Sequence, residues 1–152
     1  MLLLNDIEYH HLLYNTFGPV SLSIVKNNLT KIQTNNGTGK TILLKTIIGM
    51  MIPTNGTIIK TSDIKTHINN IYNSTRLSNS QSKKLTMSKF IFLKKNIYLF
   101  DEPYSFLDIA SISFFKKKMI TLINKKSTVV ITDCIKKSLL PTMIFYYGLK
   151  WL

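Results

Sequence analysis

Cysteine is nearly absent from this chain: Cys134 stands alone among 152 residues. That excludes a disulfide framework and a thiolate metal site, and it fits a reducing compartment. Arginine and alanine are just as scarce, at one each (Arg76 and Ala110), against 19 Lys, 21 Ile and 13 Asn. Lysine, isoleucine and asparagine come from AT-rich codons, whereas alanine and arginine need GC-rich ones, so the bias is that of an AT-rich genome in an organelle or a reduced bacterium. Only seven acidic residues face 20 basic ones, for a net charge of +13. Two readings of that excess stand: a selected basic surface for nucleic acid or an anionic membrane, or lysine accumulated by codon drift. No aromatic residues alternate with the lysines in a base-stacking pattern, so no nucleic-acid partner is expected.

Other absences narrow the field further. His10, His11 and His67 make no metal-ligand spacing with carboxylates and read as loop or core histidines. The opening MLLLND lacks the basic lead and long apolar run of a secretory signal, and being acidic and arginine-free it argues against a transit peptide. No apolar run approaches the roughly 20 residues of a membrane-spanning helix. Any membrane association is therefore expected through a partner. With 45% hydrophobic residues the chain has material for a real core, and its length allows one domain, 1–152.

Against this background two strings stand out. Residues 34–41 read TNNGTGKT and lead into an apolar helical stretch; residues 96–108 read NIYLFDEPYSFLD, an apolar strand ending on two acids. The first is a phosphate-binding loop. Backbone amides around Gly37 and Gly39 suit phosphate oxygens, Lys40 supplies a point charge, and the Thr41 hydroxyl is a Mg²⁺ ligand. Asn35, Asn36, Thr38 and Ile42 complete the candidate nucleotide-binding set in this loop. Asp101 is the second candidate Mg²⁺ residue, acting through water, and Glu102 the candidate catalytic residue that orients an attacking water. The implied cofactors are ATP and Mg²⁺.

Along the rest of the chain, residues 20–25 and 29–33 read as a hairpin turning at Asn27-Asn28. A helix follows over 40–51, apolar on most faces and therefore expected to be buried, and stopped by Gly49 and Pro53. Further expectations are a short strand at 57–60, an aperiodic stretch at 61–76, a helix over 78–94 and a buried strand at 97–100. A helix over 109–124 and strands at 128–132 and 142–147 complete the order. Strand–helix alternation implies a mostly parallel sheet that binds phosphate at its carboxyl edge.

With these residues placed, the chain resembles the ATP-binding subunits of ABC transporters. After the phosphate loop comes Leu77-Ser78-Asn79-Ser80-Gln81, where the family has Leu-Ser-Gly-Gly-Gln. Asp101-Glu102 follows, then Ser105-Phe106-Leu107-Asp108, similar to the family's D-loop. Within the superfamily the chain is most similar to the CcmA-type haem-exporter ATPases of cytochrome c maturation, through residues 20–41 and through Tyr104 after Pro103. The resemblance implies an α/β P-loop NTPase (RecA-like) core with an N-terminal antiparallel β hairpin. It also adds Ser78 and Gln81 to the nucleotide site. The implied partners are an integral-membrane permease and a second ATPase subunit, identical or related. The implied place is the inner face of an energy-transducing membrane: the mitochondrial matrix side, or the cytoplasmic side in a bacterium.

The chain also departs from that family. Thr34 stands where the loop begins with glycine, which requires a negative φ there. Asn79 and Ser80 replace the signature glycines, and Cys134 takes the place of the switch histidine without a comparable hydrogen-bond donor. Only 37 positions separate Lys40 from Leu77, so the helical subdomain is largely missing and no glutamine marks its loop, where His67 or Asn69 are the stand-ins. Ser78 and Gln81 also fit an ordinary helix cap. Tyr9, His11 and Tyr14 fit either adenine stacking or the core. Three functions compete: an ATPase subunit driving a permease, a degenerate ABC-fold subunit with a structural role, and a basic nucleic-acid-associated protein. The intact Lys40, Thr41, Asp101 and Glu102 favour the first.

Overall fold

A computed structural model describes residues 1–11, 14–60, 72–73, 96–105, 107–134 and 144–147. In chain order the elements are β1 (Leu2–His11), β2 (Tyr14–Ile24), β3 (Leu29–Thr34), α1 (Lys40–Ile47) and β4 (Asn55–Lys60). After them come β5 (Tyr72–Asn73), β6 (Ile97–Asp101), α2 (Ile109–Asn124), β7 (Thr128–Cys134) and β8 (Ile144–Tyr147). They form an antiparallel sheet of order β2-β1-β4 and a five-stranded sheet of order β5-β6-β7-β3-β8. In the second sheet β5, β6, β7 and β3 run parallel and β8 lies antiparallel beside β3. The mixed α/β architecture expected from the strand–helix alternation is therefore present.

The hairpin is present too, but not between the expected strands. Asn27 does turn the chain, with φ 59. However, β2 pairs with β1 in one sheet and β3 with β7 and β8 in the other. The turn passes the chain between sheets. Strand β1 was not expected at all, because Asn5-Asp6 interrupts its alternation. Asp6 sits at φ 48, and the register shifts between Leu4 and Ile7 so that both side chains still point inward, at 1% and 0% exposure. This bulge is fastened to β2: Ser21 Oγ donates to Asp6 Oδ1 at 2.8 Å and accepts the Asp6 N–H at 2.9 Å.

The five-stranded sheet has apolar residues on both faces, as a covered parallel sheet should. Ile32, Leu99 and Val130 join Leu43, Leu44 and Ile47 of α1 and the inward residues Leu2, Leu4 and Leu22 of the antiparallel sheet. Tyr98, Phe100, Val129 and Ile131 point the other way, onto Phe115, Met119 and Leu122 of α2. Helix α2 has the expected bounds. Asp108 caps it by accepting the Ser111 N–H at 2.6 Å and the Ser111 hydroxyl.

Helix α1 is shorter than expected. Gly49 at φ 76 donates to the Thr46 carbonyl and Met50 to the Lys45 carbonyl, both at 2.9 Å. That is a left-handed glycine stop, which ends the helix at Ile47 and leaves Met50 71% exposed. The expected helix over 78–94, the stand-ins His67 and Asn69, and residues 77–81 with Ser78 and Gln81 lie outside the described residues. The apolar face of α1 should carry the packing energy. We expect Leu43→Ala to cost about 2–5 kcal/mol in urea unfolding. Met50→Ala, beyond the glycine stop, should change stability by less than about 0.5 kcal/mol.

Candidate functional site

Strands β3, β6 and β7 are parallel, so their carboxyl ends share one edge. The loop of residues 35–39 leaves β3 there, Asp101-Glu102 ends β6 there, and Cys134 ends β7 there. Residues distant in sequence meet because of this register. Thr132 of β7 lies opposite Asp101 of β6, and Cys134 lies opposite Thr34 of β3.

The loop is shaped by two glycines and two threonines. Gly37 has φ 76 and Gly39 φ 91, a conformation that L side chains rarely adopt. At Gly39 space is also lacking, since a Cβ would stand 2.1 Å from the Phe17 ring. Thr34 is fully buried as the last residue of β3 and is not among the positive-φ positions, so the departure from glycine is accommodated. Its hydroxyl meets that of Thr38 at 2.7 Å, and Thr38 Oγ1 donates to the Asn35 carbonyl at 2.9 Å. Gly39 then caps α1, whose first internal bond runs from the Leu43 N–H to the Gly39 carbonyl. The amides of Lys40, Thr41 and Ile42 precede that bond, and such leading N–H groups suit an oxyanion. The Ile42 side chain packs against the core, so only its backbone is available to a ligand.

Two pairs cross from α1 to the end of β6. Thr41 Oγ1 donates to Asp101 Oδ2 at 2.7 Å, and Lys40 Nζ lies 3.2 Å from Glu102 Oε1. The Lys40 ammonium is 5% exposed and also donates to the Asn35 carbonyl at 2.9 Å. All four chemically active residues singled out in the sequence, Lys40, Thr41, Asp101 and Glu102, are thus within hydrogen-bonding reach of one another in pairs.

The donor set fits a magnesium nucleotide. One carboxylate and one hydroxyl converge on a single point, which is what Mg²⁺ uses when phosphates and water supply its other ligands. Among the described residues no three His, Cys, Asp or Glu side chains gather into a cage of their own. The loop and Lys40 offer donors to an anion beside that point.

Phe17 and Thr132 were not expected at this site, and Ser105 was expected only as the start of the D-loop-like string. Phe17 walls the loop at Gly39. Ser105 Oγ approaches Glu102 Oε2 at 3.4 Å. Thr132, fully buried, donates to Asp101 Oδ1 at 2.6 Å and accepts the Glu102 N–H at 3.1 Å. Thr132 carried a signal as a hydroxyl within a buried apolar strand, where such a group needs a partner, and Phe17 carried none.

Tyr9, Asp133 and Tyr104 have partners within the fold. The Tyr9 hydroxyl bonds Thr46 of α1 and its ring lies 6.1 Å from that of Phe17, which is the core reading of this residue. His11 and Tyr14 pair across β1 and β2, and their side chains are outside the description. Asp133 points to Lys31 at 3.2 Å. Tyr104 packs edge-on against Phe115, and burial, then the charge of Asp133, pushes its hydroxyl well above the usual tyrosine range. The two glycines should differ in their tolerance. At Gly37 a Cβ meets nothing within 4 Å, so Gly37→Ala should cost only the dihedral penalty, about 1–2 kcal/mol. Gly39→Ala should cost more in the same urea measurement, and Phe17→Ala should narrow the gap.

Comparison with known proteins agrees with this geometry. The ABC transporter family pattern matches residues 17–76. A zinc import ATP-binding protein ZnuC of Mannheimia succiniciproducens is 35% identical over 51% of this chain and 28% of its own length. The ZnuC of Rickettsia bellii is 25% identical over 74% of this chain and 66% of its own length. The cytochrome c biogenesis ATP-binding export protein CcmA of Rickettsia bellii is 27% identical over 96% of this chain and 74% of its own. The chain therefore spans from about a quarter to about three-quarters of these curated relatives. Among solved structures, an ABC transporter ATP-binding protein from Pyrococcus furiosus superimposes with a TM-score of 0.59 at 18% identity, over 91% of this chain and 93% of that one. A dimeric bacterial ABC transporter cassette gives 0.60 at 15% identity, over 88% of each chain. Residues 17–76 thus carry the ABC transporter pattern, and the fold is shared with ABC transporter ATP-binding proteins.

Proposed function

We propose that the chain is the ATP-binding subunit of an ABC-type membrane complex, coupling ATP binding or hydrolysis to a permease. The observation that carries this reading is the convergence of Lys40, Thr41, Asp101 and Glu102 at one sheet edge beside the glycine loop. The amides of residues 37–42 and the Lys40 ammonium would bind the phosphates, and Thr41 with Asp101 would hold Mg²⁺. Bound Mg²⁺ supplies charge neutralisation at the phosphates. Glu102 would orient and deprotonate water. Its present contact with Lys40 bears on that role: when Lys40 exchanges the carboxylate for phosphate oxygen, Oε1 is released for water.

The finer reading places the complex in cytochrome c maturation or haem export. It is supported by the CcmA relative, whose likeness extends over 96% of this chain, and by Tyr104 after Pro103. The ZnuC relatives support the transporter class without that branch. Among the described residues no helix is long and apolar enough to cross a membrane. Attachment would therefore go through an integral partner, on the inner face of an energy-transducing membrane, with a second ATPase subunit alongside.

A structural role without turnover is the second reading, favoured by Cys134. It ends β7 beside Thr34 at the nucleotide edge, where the resemblance calls for histidine. Two substitutions separate the readings. Lys40→Ala removes a charge-assisted contact, and ATP affinity measured by calorimetry should fall about 10- to 100-fold. Equal affinity in wild type and variant would refute the nucleotide reading. Glu102→Gln should retain bound ATP that wild type converts to ADP. If wild type also keeps its ATP uncleaved, the structural role holds.

A further inference from the structure

We propose that Thr132 is the positioning residue for the acidic pair, setting the Asp101 carboxylate for metal and holding the backbone of Glu102. The inference rests on the nucleotide reading above and assigns a role to a residue outside the phosphate loop and the acids themselves.

Strand register brings the group there. Thr132 lies directly opposite Asp101 in the parallel β6–β7 pair, so the two side chains share a face. The residues before it in β7, Thr128, Val129, Val130 and Ile131, are all buried, and Thr132 itself is 0% exposed. A hydroxyl in that setting must be satisfied by protein. It has a single proton, and two acceptors stand near it: Asp101 Oδ1 at 2.6 Å and the Phe100 carbonyl at 3.5 Å. The shorter, charge-assisted bond takes the proton. A lone pair of the same oxygen then accepts the Glu102 N–H at 3.1 Å.

Both consequences bear on chemistry. With Oδ1 held by Thr132, the carboxylate is oriented so that Oδ2 faces Thr41 at 2.7 Å. Asp101 is 5% exposed, so water offers little substitute for a lost donor. Thr41 is itself one of the two prospective metal residues, which leaves Thr132 as the donor with no other task. Glu102 sits at φ 46, a conformation uncommon outside glycine, and its N–H is anchored on Thr132.

The test is equilibrium titration of the purified 152-residue chain with the fluorescent nucleotide mant-ADP, in Mg²⁺ and in EDTA, so that hydrolysis plays no part. Thr132→Val keeps the branched shape and loses the hydroxyl. We expect the affinity gained from Mg²⁺ to fall about tenfold, while affinity in EDTA stays within about twofold of wild type. Thr132→Ala should give the same loss, since the two variants share only the missing hydroxyl, and Thr132→Ser should restore the Mg²⁺ effect. In an Asp101→Asn background Thr132→Val should add little, because its action passes through that carboxylate. An unchanged Mg²⁺ effect in Thr132→Val and Thr132→Ala would overturn the proposal. So would an equal loss with and without metal, or failure of Thr132→Ser to restore it. If wild type shows no Mg²⁺-dependent mant-ADP binding, the nucleotide reading fails first and takes this proposal with it.

Discussion

Strand β7 is the constraint on which the edge carrying Lys40, Thr41, Asp101 and Glu102 depends. It pairs in parallel with β3 on one side and β6 on the other. The loop strand and the acid strand are therefore not neighbours, and their relative height is set by two registers through a third strand. A one-residue slip between β6 and β7 would turn Thr132 or Asp101 to the opposite face and separate the pair, and one between β3 and β7 would shift the loop relative to the acids. Packing of β7 on both faces and the Thr132–Asp101 bond hold that register. Val129 and Ile131 are buried against α2 and Val130 against α1, so both faces of the strand resist exchange.

The site is consequently a property of the core rather than of the loop alone. Helix α1 presents Lys40 and Thr41 because Leu43, Leu44 and Ile47 hold it on the sheet, within a cluster that includes Leu2, Leu4 and Leu22 of the antiparallel sheet. Phe17 from β2 closes on Gly39. Through Phe17 the small antiparallel sheet bears on the loop that precedes α1. On the far face, Asp108 caps α2 a few residues beyond the acids, and Tyr104 packs on Phe115. The segment leaving Glu102 is tied to a helix buried along one side.

Much of this was legible in the residues, for physical reasons that also explain what was not. Helix α2 and strands β6 and β7 have long, consistent periodicity and clear caps, and they lie where expected. The loop between β3 and α1 was legible because its two glycines and the Lys-Thr pair that opens the helix form one local string. Strand β1 was hidden because Asn5-Asp6 reads as a turn, whereas pairing with β2 and the Ser21 contact absorb it as a bulge. The hairpin was assigned to the wrong strands because local turn chemistry at Asn27 is silent about which sheet each strand joins. The end of α1 was overrun because Met50 and Ile52 continue the apolar run past a glycine that stops the helix. Thr132 escaped notice as a site residue because its meaning lies in cross-strand register, which is non-local.

The central claim is that the edge formed by α1 and β6 is a magnesium-nucleotide site. Calorimetric titration of the purified protein with ATP, with and without Mg²⁺, tests it most directly. The account predicts saturable binding at one site per chain that tightens when Mg²⁺ is present and loses that Mg²⁺ dependence in Asp101→Asn. No saturable binding up to millimolar ATP, or binding indifferent to both Mg²⁺ and Asp101, would contradict it.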